Sequence, residues 1–327
     1  MRLFTIVHNN RVKYQQVIHN IHDYNLIKHE LFCIIYLMST TPTVYKKIQA
    51  LRERYYAAKT GQDSLLQMMS ESEVSEQVYN SNAIENSTLS LEDTERILLQ
   101  LDLDRFISER EMFEARNLAR VVEYRNTVAK ERELDMDTML LLHKMLMTNI
   151  RDDIAGRFRE GDEWVRVGSH IATAPEKIIP ELEQLLTNYY AKNTLHIIKR
   201  IAHFHLQFES IHPFVDGNGR IGRVLNNYLL VREGYVPINI RFIDRTKYYE
   251  AFQEFDKNQT TKHMEEIVGR ALTNSYHKRL AYLERREIIT LSQYAKTEKL
   301  SHSNLLNKAK RQTIEAFFEK GVWKIGV

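Results

Sequence analysis

Apolar residues recur every three to four positions along most of this chain, which is the period of an amphipathic helix. The clearest runs cover residues 44–59, 63–79, 91–101, 109–129, 137–148, 181–191, 201–208 and 221–231. Only 11 glycines and 5 prolines interrupt 327 residues, and both residue types disfavour the interior of a helix. The pattern therefore predicts a mainly α-helical fold.

Two parts of the chain depart from this period. Residues 156–159 and 164–168 alternate apolar and polar side chains, which predicts a short β-hairpin. Near the C-terminus we expect two short helices, separated by a turn, and then a strand. These elements fall on residues 290–296, 304–311 and 322–325.

Composition narrows the class of protein. With 43% hydrophobic and 27% charged residues, the chain has the composition of a globular protein. The single cysteine, Cys33, excludes an intrachain disulfide framework and a cysteine-rich zinc site. The longest apolar run near the start, residues 31–38, is too short to span a bilayer, and no export signal is apparent. We expect a cytoplasmic protein.

The start of the chain has weak periodicity. Met38 is followed by Ser-Thr-Thr-Pro, which has the character of an ordinary protein start. Our hypothesis is that residues 1–37 are an extension with little function. We expect an N-terminal helical region over residues 38–90, a core over residues 91–274 and a small domain over residues 275–327.

The chemistry concentrates between the helices predicted over residues 201–208 and 221–231. The loop between them reads His-Pro-Phe-Val-Asp-Gly-Asn-Gly-Arg and begins at His212. Its glycines and the following helix N-terminus would build a cradle for phosphate oxygens. Asp216 suits a hard divalent cation, and His212 could take a proton from a hydroxyl.

The polar residues of the loop continue into the second helix. Asn218 can hydrogen-bond either the loop or a ligand, and Arg220 and Arg223 lie three apart on one helix face as two phosphate-binding groups. The whole set indicates phosphoryl chemistry.

Residues 212–223 match the pattern HPFx[DE]GNGRxxR at every fixed position and resemble the Fic (filamentation induced by cAMP) family. The resemblance implies transfer of AMP from ATP to a Ser, Thr or Tyr hydroxyl of a protein. His212 would be the general base and Asp216 the Mg2+ ligand. The backbone of Gly217, Asn218 and Gly219 would hold phosphate, and Arg220 and Arg223 would hold the β and γ phosphates.

A second stretch, Ser81-Asn-Ala-Ile-Glu85-Asn86, has two interpretations. Locally it is typical of a helix C-terminus, because Asn86 tolerates a left-handed cap. It also resembles the inhibitory motif [ST]xxxE[GN] of regulated Fic proteins. That resemblance implies that Glu85 pairs with Arg223 and takes the place of the γ phosphate.

Three further assignments depend on the same resemblance. Fic proteins carry a hairpin that docks the target protein, and we expect it at Val165, Arg166, Val167 and Gly168; an ordinary surface hairpin is the alternative. Tyr248, Tyr249 and Asn258 are candidates for nucleobase contacts. Thr260-Thr-Lys replaces the family's Thr-Pro-Leu here, so the nucleotide preference stays open.

The C-terminal domain is basic, with 11 Lys and Arg against 5 Asp and Glu from residue 275 onward. Its predicted order resembles a winged helix-turn-helix of the excisionase type, which implies DNA binding by residues 288–327. A packing or dimerisation module without DNA binding is the alternative.

The hypothesis is a protein adenylyltransferase that uses ATP and Mg2+ and is self-inhibited by Glu85. The expected partners are a protein substrate, which could be the chain itself, and a second copy, because many relatives are dimers. Two alternatives stay open: an enzyme that removes AMP or transfers another nucleotide, and a DNA-binding regulator whose Fic domain modifies only itself.

Overall fold

The computed structural model describes residues 43–167, 170–192 and 194–327. Helices dominate these residues, which confirms the mainly α-helical fold. The α-helices are α1 (Thr43–Ala58), α2 (Asp63–Ser72), α3 (Val74–Ile84), α4 (Leu91–Leu98), α5 (Glu109–Glu131), α6 (Met136–Met147), α7 (Ile178–Ala191), α8 (Ile197–Ile211), α9 (Asn218–Arg232), α10 (Arg245–Asn258), α11 (Lys262–Leu283), α12 (Leu291–Thr297) and α13 (His302–Lys310).

The strands form two small antiparallel sheets. In the first, β1 (Arg166–Val167) pairs with β2 (His170–Ile171). In the second, β5 (Val322–Gly326) lies between β3 (Ile288–Thr290) and β4 (Ala316–Glu319). No helix in the described ranges is long and apolar enough to cross a membrane. The prediction about residues 1–37 lies outside these ranges.

Helix α9 lies at the centre of the helical part. It packs against α5 and α8, and less extensively against α6. Most of its residues are buried, because apolar side chains such as Ile221, Leu225 and Leu229 occupy several faces. Because α8 and α9 flank the glycine-rich loop, the loop is held between two buried helices.

The helix predicted over residues 63–79 is divided in two at Glu73. No glycine or proline marks the break. The Glu73 carboxylate is bound instead by two cations of α11, Lys278 and Arg279. The break is therefore a consequence of tertiary contacts.

Local signals around the next helix are confirmed. Ser90 and Asp93 form a reciprocal capping box at the start of α4. Asn86 adopts the left-handed conformation, with φ of 70°, as expected for the end of α3. These features depend on neighbouring residues only, so the sequence predicts them.

The hairpin lies later in the chain than the alternation indicated. Its strands are β1 and β2, whereas residues 156–159 form no strand. The backbone amide of Arg159 donates instead to the carbonyl of Pro213, so this stretch packs against the glycine-rich loop.

The C-terminal part contains one long helix that was not among the predicted elements. Helix α11 runs without a break through residue 275, and β4 packs against it. Residues 288–327, hereafter the C-terminal module, enclose a small apolar core. The core residues are Leu291, Ala295, Leu305, Ala309, Ala316 and Ile325.

Candidate active site

The loop between α8 and α9 is held by its own side chains. His212 ends α8 in the left-handed conformation, with φ of 51°, and Gly217 begins α9 with φ of 82°. Asn218 accepts a hydrogen bond from the Phe214 amide and donates one to the Phe214 carbonyl, at 2.9 and 2.8 Å. The Asn218 side chain is therefore engaged by the loop.

His143 supports this loop from α6. Its Nδ1 lies 3.0 Å from the amide nitrogen of Gly156, which donates to it, so Nε2 carries the proton and donates to the Asp216 carbonyl at 3.0 Å. The ring stacks on Phe214 with centroids 3.8 Å apart. Burial lowers the pKa of His143 to about 4. It is therefore a packed histidine that also holds the loop.

His212 lines the cavity above the loop while most of its ring is buried. Burial lowers the pKa of His212 to about 4. The imidazole is therefore neutral at physiological pH and available to accept a proton. Its Nδ1 lies 3.9 Å from Oε2 of Glu209, one turn earlier on α8.

Glu209 is a site residue that the sequence did not reveal. Burial, reinforced by repulsion from Glu85, raises its pKa to about 8. Its Oε1 has no hydrogen-bond partner within the described residues. A glutamate on an amphipathic helix is usually solvated, so no sequence pattern distinguishes this one.

Arg159 was also missed, and it fixes the end of α8. The side chain is 2% exposed. Its Nε donates to the His212 carbonyl at 2.8 Å, and Nη2 donates to the carbonyls of Thr173 and Ile211 at 2.7 and 3.2 Å. The guanidinium thus satisfies carbonyls that the helix end leaves unpaired. An arginine in an irregular segment carries no sequence signal for this role.

A cavity of about 220 Å³ opens over the loop. Helices α3 and α5 supply its other walls. It is lined by Asn82, Glu85, Arg110, Glu114, His212, Val215, Asp216, Gly217, Asn218, Gly219 and Arg220. The structure therefore gathers six of the predicted loop residues and Glu85 around a single space.

Asp216 holds its carboxylate toward this cavity. The side chain is 38% exposed, and its oxygens lie 3.4 Å from Arg220 and 3.6 Å from Arg110. These distances are long for ion pairs, so the carboxylate is not committed to either cation. Its Oδ1 accepts a hydrogen bond from the Gly217 amide at 2.6 Å, and a partly exposed carboxylate beside a phosphate cradle suits Mg2+.

Arg220 lines the same cavity and is almost entirely buried. Its Nη1 lies 3.4 Å from Oε1 of Glu114, and its Nη2 faces Asp216. Arg220 therefore presents a buried positive charge beneath the first turn of α9, next to the backbone amides of that turn.

Arg223 is held by the end of α3. Its Nε donates to the Ser81 hydroxyl and its Nη2 to the Ser81 carbonyl, both at 2.9 Å. Nη2 also pairs with Oε1 of Glu85 at 2.9 Å. Arg223 therefore contacts Glu85, the residue that the resemblance places beside it, and also Ser81, a contact that was not predicted.

Glu85 also covers the first turn of α9. An added Cβ at Gly219 would overlap the Glu85 carboxylate. The absence of a side chain at Gly219 therefore lets the carboxylate lie directly against the helix N-terminus, which is the region where an anion is favoured.

The three residues predicted to contact the nucleobase lie outside this cavity. Tyr248 is 1% exposed, and its hydroxyl contacts His205 at 2.7 Å and Arg223 at 3.3 Å. Tyr249 donates to the Ile84 carbonyl, and Asn258 is exposed and bonded to Glu254. None of the three is among the residues that line the cavity.

The predicted docking segment lies on the hairpin. Val165 extends the ladder of β1 and β2 by accepting a hydrogen bond from the Ala172 amide. Arg166 and Val167 form the exposed strand β1, and Gly168 lies outside the described residues. The ring of His170 bonds the Ser210 carbonyl at 2.9 Å, which ties the hairpin to α8.

Comparison with known proteins agrees with this geometry. Residues 133–230 match the model of the Fic/DOC family. The chain is 31% identical to the protein adenylyltransferase Fic of Nematostella vectensis over 208 residues, which cover 62% of this chain and 48% of that protein. It is 28% identical to the Drosophila melanogaster protein of the same name over 253 residues, which cover 75% of this chain and 50% of that protein.

The chain thus spans about half the length of the curated relatives that it matches. Solved structures agree in fold. A Fic-domain signalling protein from Bacteroides thetaiotaomicron has a TM-score of 0.66 at 23% identity, covering 73% of this chain and 97% of that one. A solved fragment of C. elegans Fic-1 has a TM-score of 0.63 at 22% sequence identity. The match covers 77% of this chain and 75% of that one. Residues 133–230 of this chain therefore carry the match to the Fic/DOC family, and the solved structures share its fold.

Proposed function

We propose that this chain is a protein adenylyltransferase, which transfers AMP from ATP to a hydroxyl group of a protein. The observation that carries the proposal is the loop that begins at His212, whose neutral base, partly exposed Asp216 carboxylate and buried Arg220 line one cavity at a helix N-terminus, with Arg223 next to Gly219. The names of the curated relatives support the same activity.

In this mechanism the His212 imidazole takes the proton of the attacking hydroxyl. The hydroxyl oxygen forms a bond to the α phosphorus, and the bond from that phosphorus to the bridging oxygen of the β phosphate breaks. Pyrophosphate leaves. The amides at the start of α9 and the guanidinium of Arg220 stabilise the charge that develops on the phosphates.

Asp216 is the residue that would hold Mg2+. When bound, the ion neutralises phosphate charge. The carboxylate is suited to this role because its contacts with Arg110 and Arg220 are long and its side chain is partly exposed.

We further propose that Glu85 inhibits the enzyme. Its carboxylate occupies the guanidinium of Arg223 and the face of Gly219, which are the groups that the γ phosphate needs. The nucleotide can then bind only with its phosphates displaced from the in-line position.

The test uses α-labelled ATP with wild type, Glu85→Gly, Glu85→Gln and His212→Ala. A charge-assisted hydrogen bond contributes about 1.5 to 3 kcal/mol, so Glu85→Gly should raise labelling by roughly tenfold to a hundredfold. Glu85→Gln should give a smaller rise, and His212→Ala should abolish labelling. Equal labelling of wild type and Glu85→Gly would contradict the inhibitory role.

The same experiment separates the alternatives. Label that is lost faster from a labelled protein when Glu85 is present would indicate removal of AMP. Absence of label in every variant, with nucleotide still bound, would indicate another nucleotide donor.

The hairpin is proposed as the docking site of the target. A segment that carries the hydroxyl would add to the edge of β1, beside the exposed Val167. Val167→Pro should raise the KM for the protein substrate while leaving ATP binding unchanged, because Val167 faces β2 in the same register as the Val165–Ala172 pair, and proline removes a hydrogen-bond donor that holds the docking strand in place.

A second candidate function, DNA binding, is favoured by the C-terminal module. Its helix α13 and the residue after it expose Lys308, Lys310 and Arg311, basic residues of the kind that contact DNA phosphates. Duplex binding should weaken steeply with salt and decrease in Lys308→Ala. Affinity that is absent or independent of salt would reject this function.

A further inference from the structure

Arg125 of α5 is a buried cation for which the described residues provide too few partners. It is 0% exposed. Nη2 donates to Oε1 of Gln77 at 3.0 Å, whereas Nε and Nη1 have no hydrogen-bond partner in the described part of the chain. Gln77 is neutral, so this contact does not compensate the charge.

Neighbouring carboxylates do not compensate it either. Among the described residues, Glu73 is the carboxylate that acts on Arg125, and it does so without contact. Its two oxygens are already bound by Lys278 and Arg279. Burial accordingly lowers the pKa of Arg125 to about 9, yet the group stays protonated at neutral pH. An isolated charge in the interior costs several kcal/mol unless a counter-charge lies beside it.

A small cavity of about 30 Å³ adjoins the guanidinium. Asn226 of α9 also lines it, is 1% exposed, and has no described partner for either Nδ2 or Oδ1. Two unsatisfied polar groups, one of them charged, therefore line the same small cavity.

The charged residues that line this cavity are all cationic. Arg125 and Arg223 are both part of it, and no carboxylate is among its described lining residues. The nitrogens of Arg223 are taken by Ser81, Glu85 and Tyr248. The donors that remain without a partner in the described residues are those of Arg125 and the Asn226 amide. A negatively charged acceptor would satisfy both.

Size restricts the acceptor. A single water needs roughly 10 to 15 Å³ of such volume, so the cavity holds about two water-sized particles. Phosphate, sulfate and nucleotides exceed this volume and would have to extend through the open side of the cavity. A monatomic anion fits with one water, and the water can donate to the Asn226 Oδ1 that an anion leaves unsatisfied.

We propose that this cavity binds a halide ion, chloride in the cell, between the guanidinium of Arg125 and the amide nitrogen of Asn226. Water alone would satisfy the hydrogen bonds but would leave the charge uncompensated. The bound ion supplies both a hydrogen-bond acceptor and a compensating negative charge. It thereby stabilises the packing of α5 against α3 and α9.

The site is linked to the Arg223 contacts through α3. Gln77 and Ser81 are one turn apart on this helix, and they bind Arg125 and Arg223 respectively. A bound halide therefore stabilises the same position of α3 that places Glu85 over Gly219.

Thermal unfolding of the full chain tests the proposal. Chloride or bromide should raise the Tm of wild type relative to gluconate at a constant ionic strength of about 0.15 M, by an amount on the order of 2 to 4 °C. Arg125→Met should remove this dependence. Arg270→Met, which alters an exposed arginine paired with Glu266, should keep it. Equal dependence in wild type and Arg125→Met would overturn the proposal.

A direct measurement covers the case in which Arg125→Met does not fold. Crystals of the wild type soaked in bromide should show an anomalous peak within hydrogen-bonding distance of Arg125 and Asn226. Density for water without an anomalous peak would overturn the proposal. Neither measurement depends on adenylyltransferase activity, so the proposed function and the halide site fail independently.

Discussion

At the scale of single residues, the protonation states of the site follow from burial. His143 and His212 both have a pKa lowered to about 4, because an imidazolium in the interior lacks water. One ring then holds the loop through a fixed tautomer, and the other has a free acceptor for a substrate proton. Burial therefore keeps both rings neutral, so that His143 holds the loop in one tautomer and His212 can accept a proton as a base.

The pH dependence of activity should reflect this lowered pKa. A base must be unprotonated, so His212 is active above its pKa and loses activity as the pH falls through it. We expect kcat/KM of Glu85→Gly to show no loss from His212 between pH 8 and about pH 5.5, and then to fall toward pH 4. Glu85→Gly also removes a carboxylate that raises the pKa of His212, so this variant should not move the fall to higher pH. Half-loss near pH 6.5 would show that the imidazole is not desolvated.

At the scale of elements, helix ends determine the site. Helix α8 ends where Arg159 binds its last carbonyls, α9 begins where the loop amides converge, and α3 ends where Ser81 and Glu85 reach Arg223. Three helix termini from distant parts of the chain thus meet at one cavity. Movement of any one of them changes the geometry of the other two.

Arg159 should be required for the position of His212. Arg159→Met leaves several carbonyls unpaired, at about 1 to 3 kcal/mol for each buried group, and we expect a fall in kcat of at least tenfold in the Glu85→Gly background. Arg159→Lys keeps the charge but cannot reach the three carbonyls together. It should recover folding stability more than kcat. Full activity in Arg159→Met would exclude a positioning role.

Ser81 should contribute to the inhibited state. Ser81→Ala removes the hydroxyl that accepts from Arg223 Nε, while the Ser81 carbonyl and Glu85 remain. A single hydrogen bond contributes about 1 kcal/mol, so labelling should rise about fivefold, less than in Glu85→Gly. Ser75→Ala, on the same helix but bonded to Glu95, is the control and should match wild type.

At the scale of the whole molecule, a buried ion network joins the N-terminal helices to the C-terminal module. Glu73 lies between α2 and α3, Lys278 and Arg279 belong to α11, and Glu319 ends β4. All four are largely buried. Each cation is paired with a carboxylate, so the network is satisfied only when these segments are docked.

Glu73→Gln should therefore destabilise the protein strongly. It leaves Arg279 without a charged partner in the described structure and weakens the support of Lys278, and breaking a buried pair costs about 3 to 5 kcal/mol. Glu266→Gln breaks an exposed pair with Arg270 and should cost at most about 0.5 kcal/mol. Urea unfolding of both variants measures the difference. Similar midpoints would show that the buried network contributes little.

The sequence by itself determined the features that depend on neighbouring residues. Helical periodicity located α8 and α9, Ser90 and Asp93 marked a helix start, and the glycine-rich loop followed from residues 212–223. In each case a few consecutive side chains settle the local backbone. That is why the mainly helical fold and the residues of the loop could be predicted.

Only the tertiary structure decided which distant groups meet. Helix α11 does carry a regular apolar spacing, at Met264, Val268, Leu272, Tyr276 and Leu280. What the sequence could not show is that its Lys278 and Arg279 are buried against Glu73. Arg159 and Arg125 carry no local signal either. Their roles depend on carbonyls and cavities formed by other elements, and the free energy of a buried charge is set by these surroundings and not by its neighbours in the chain.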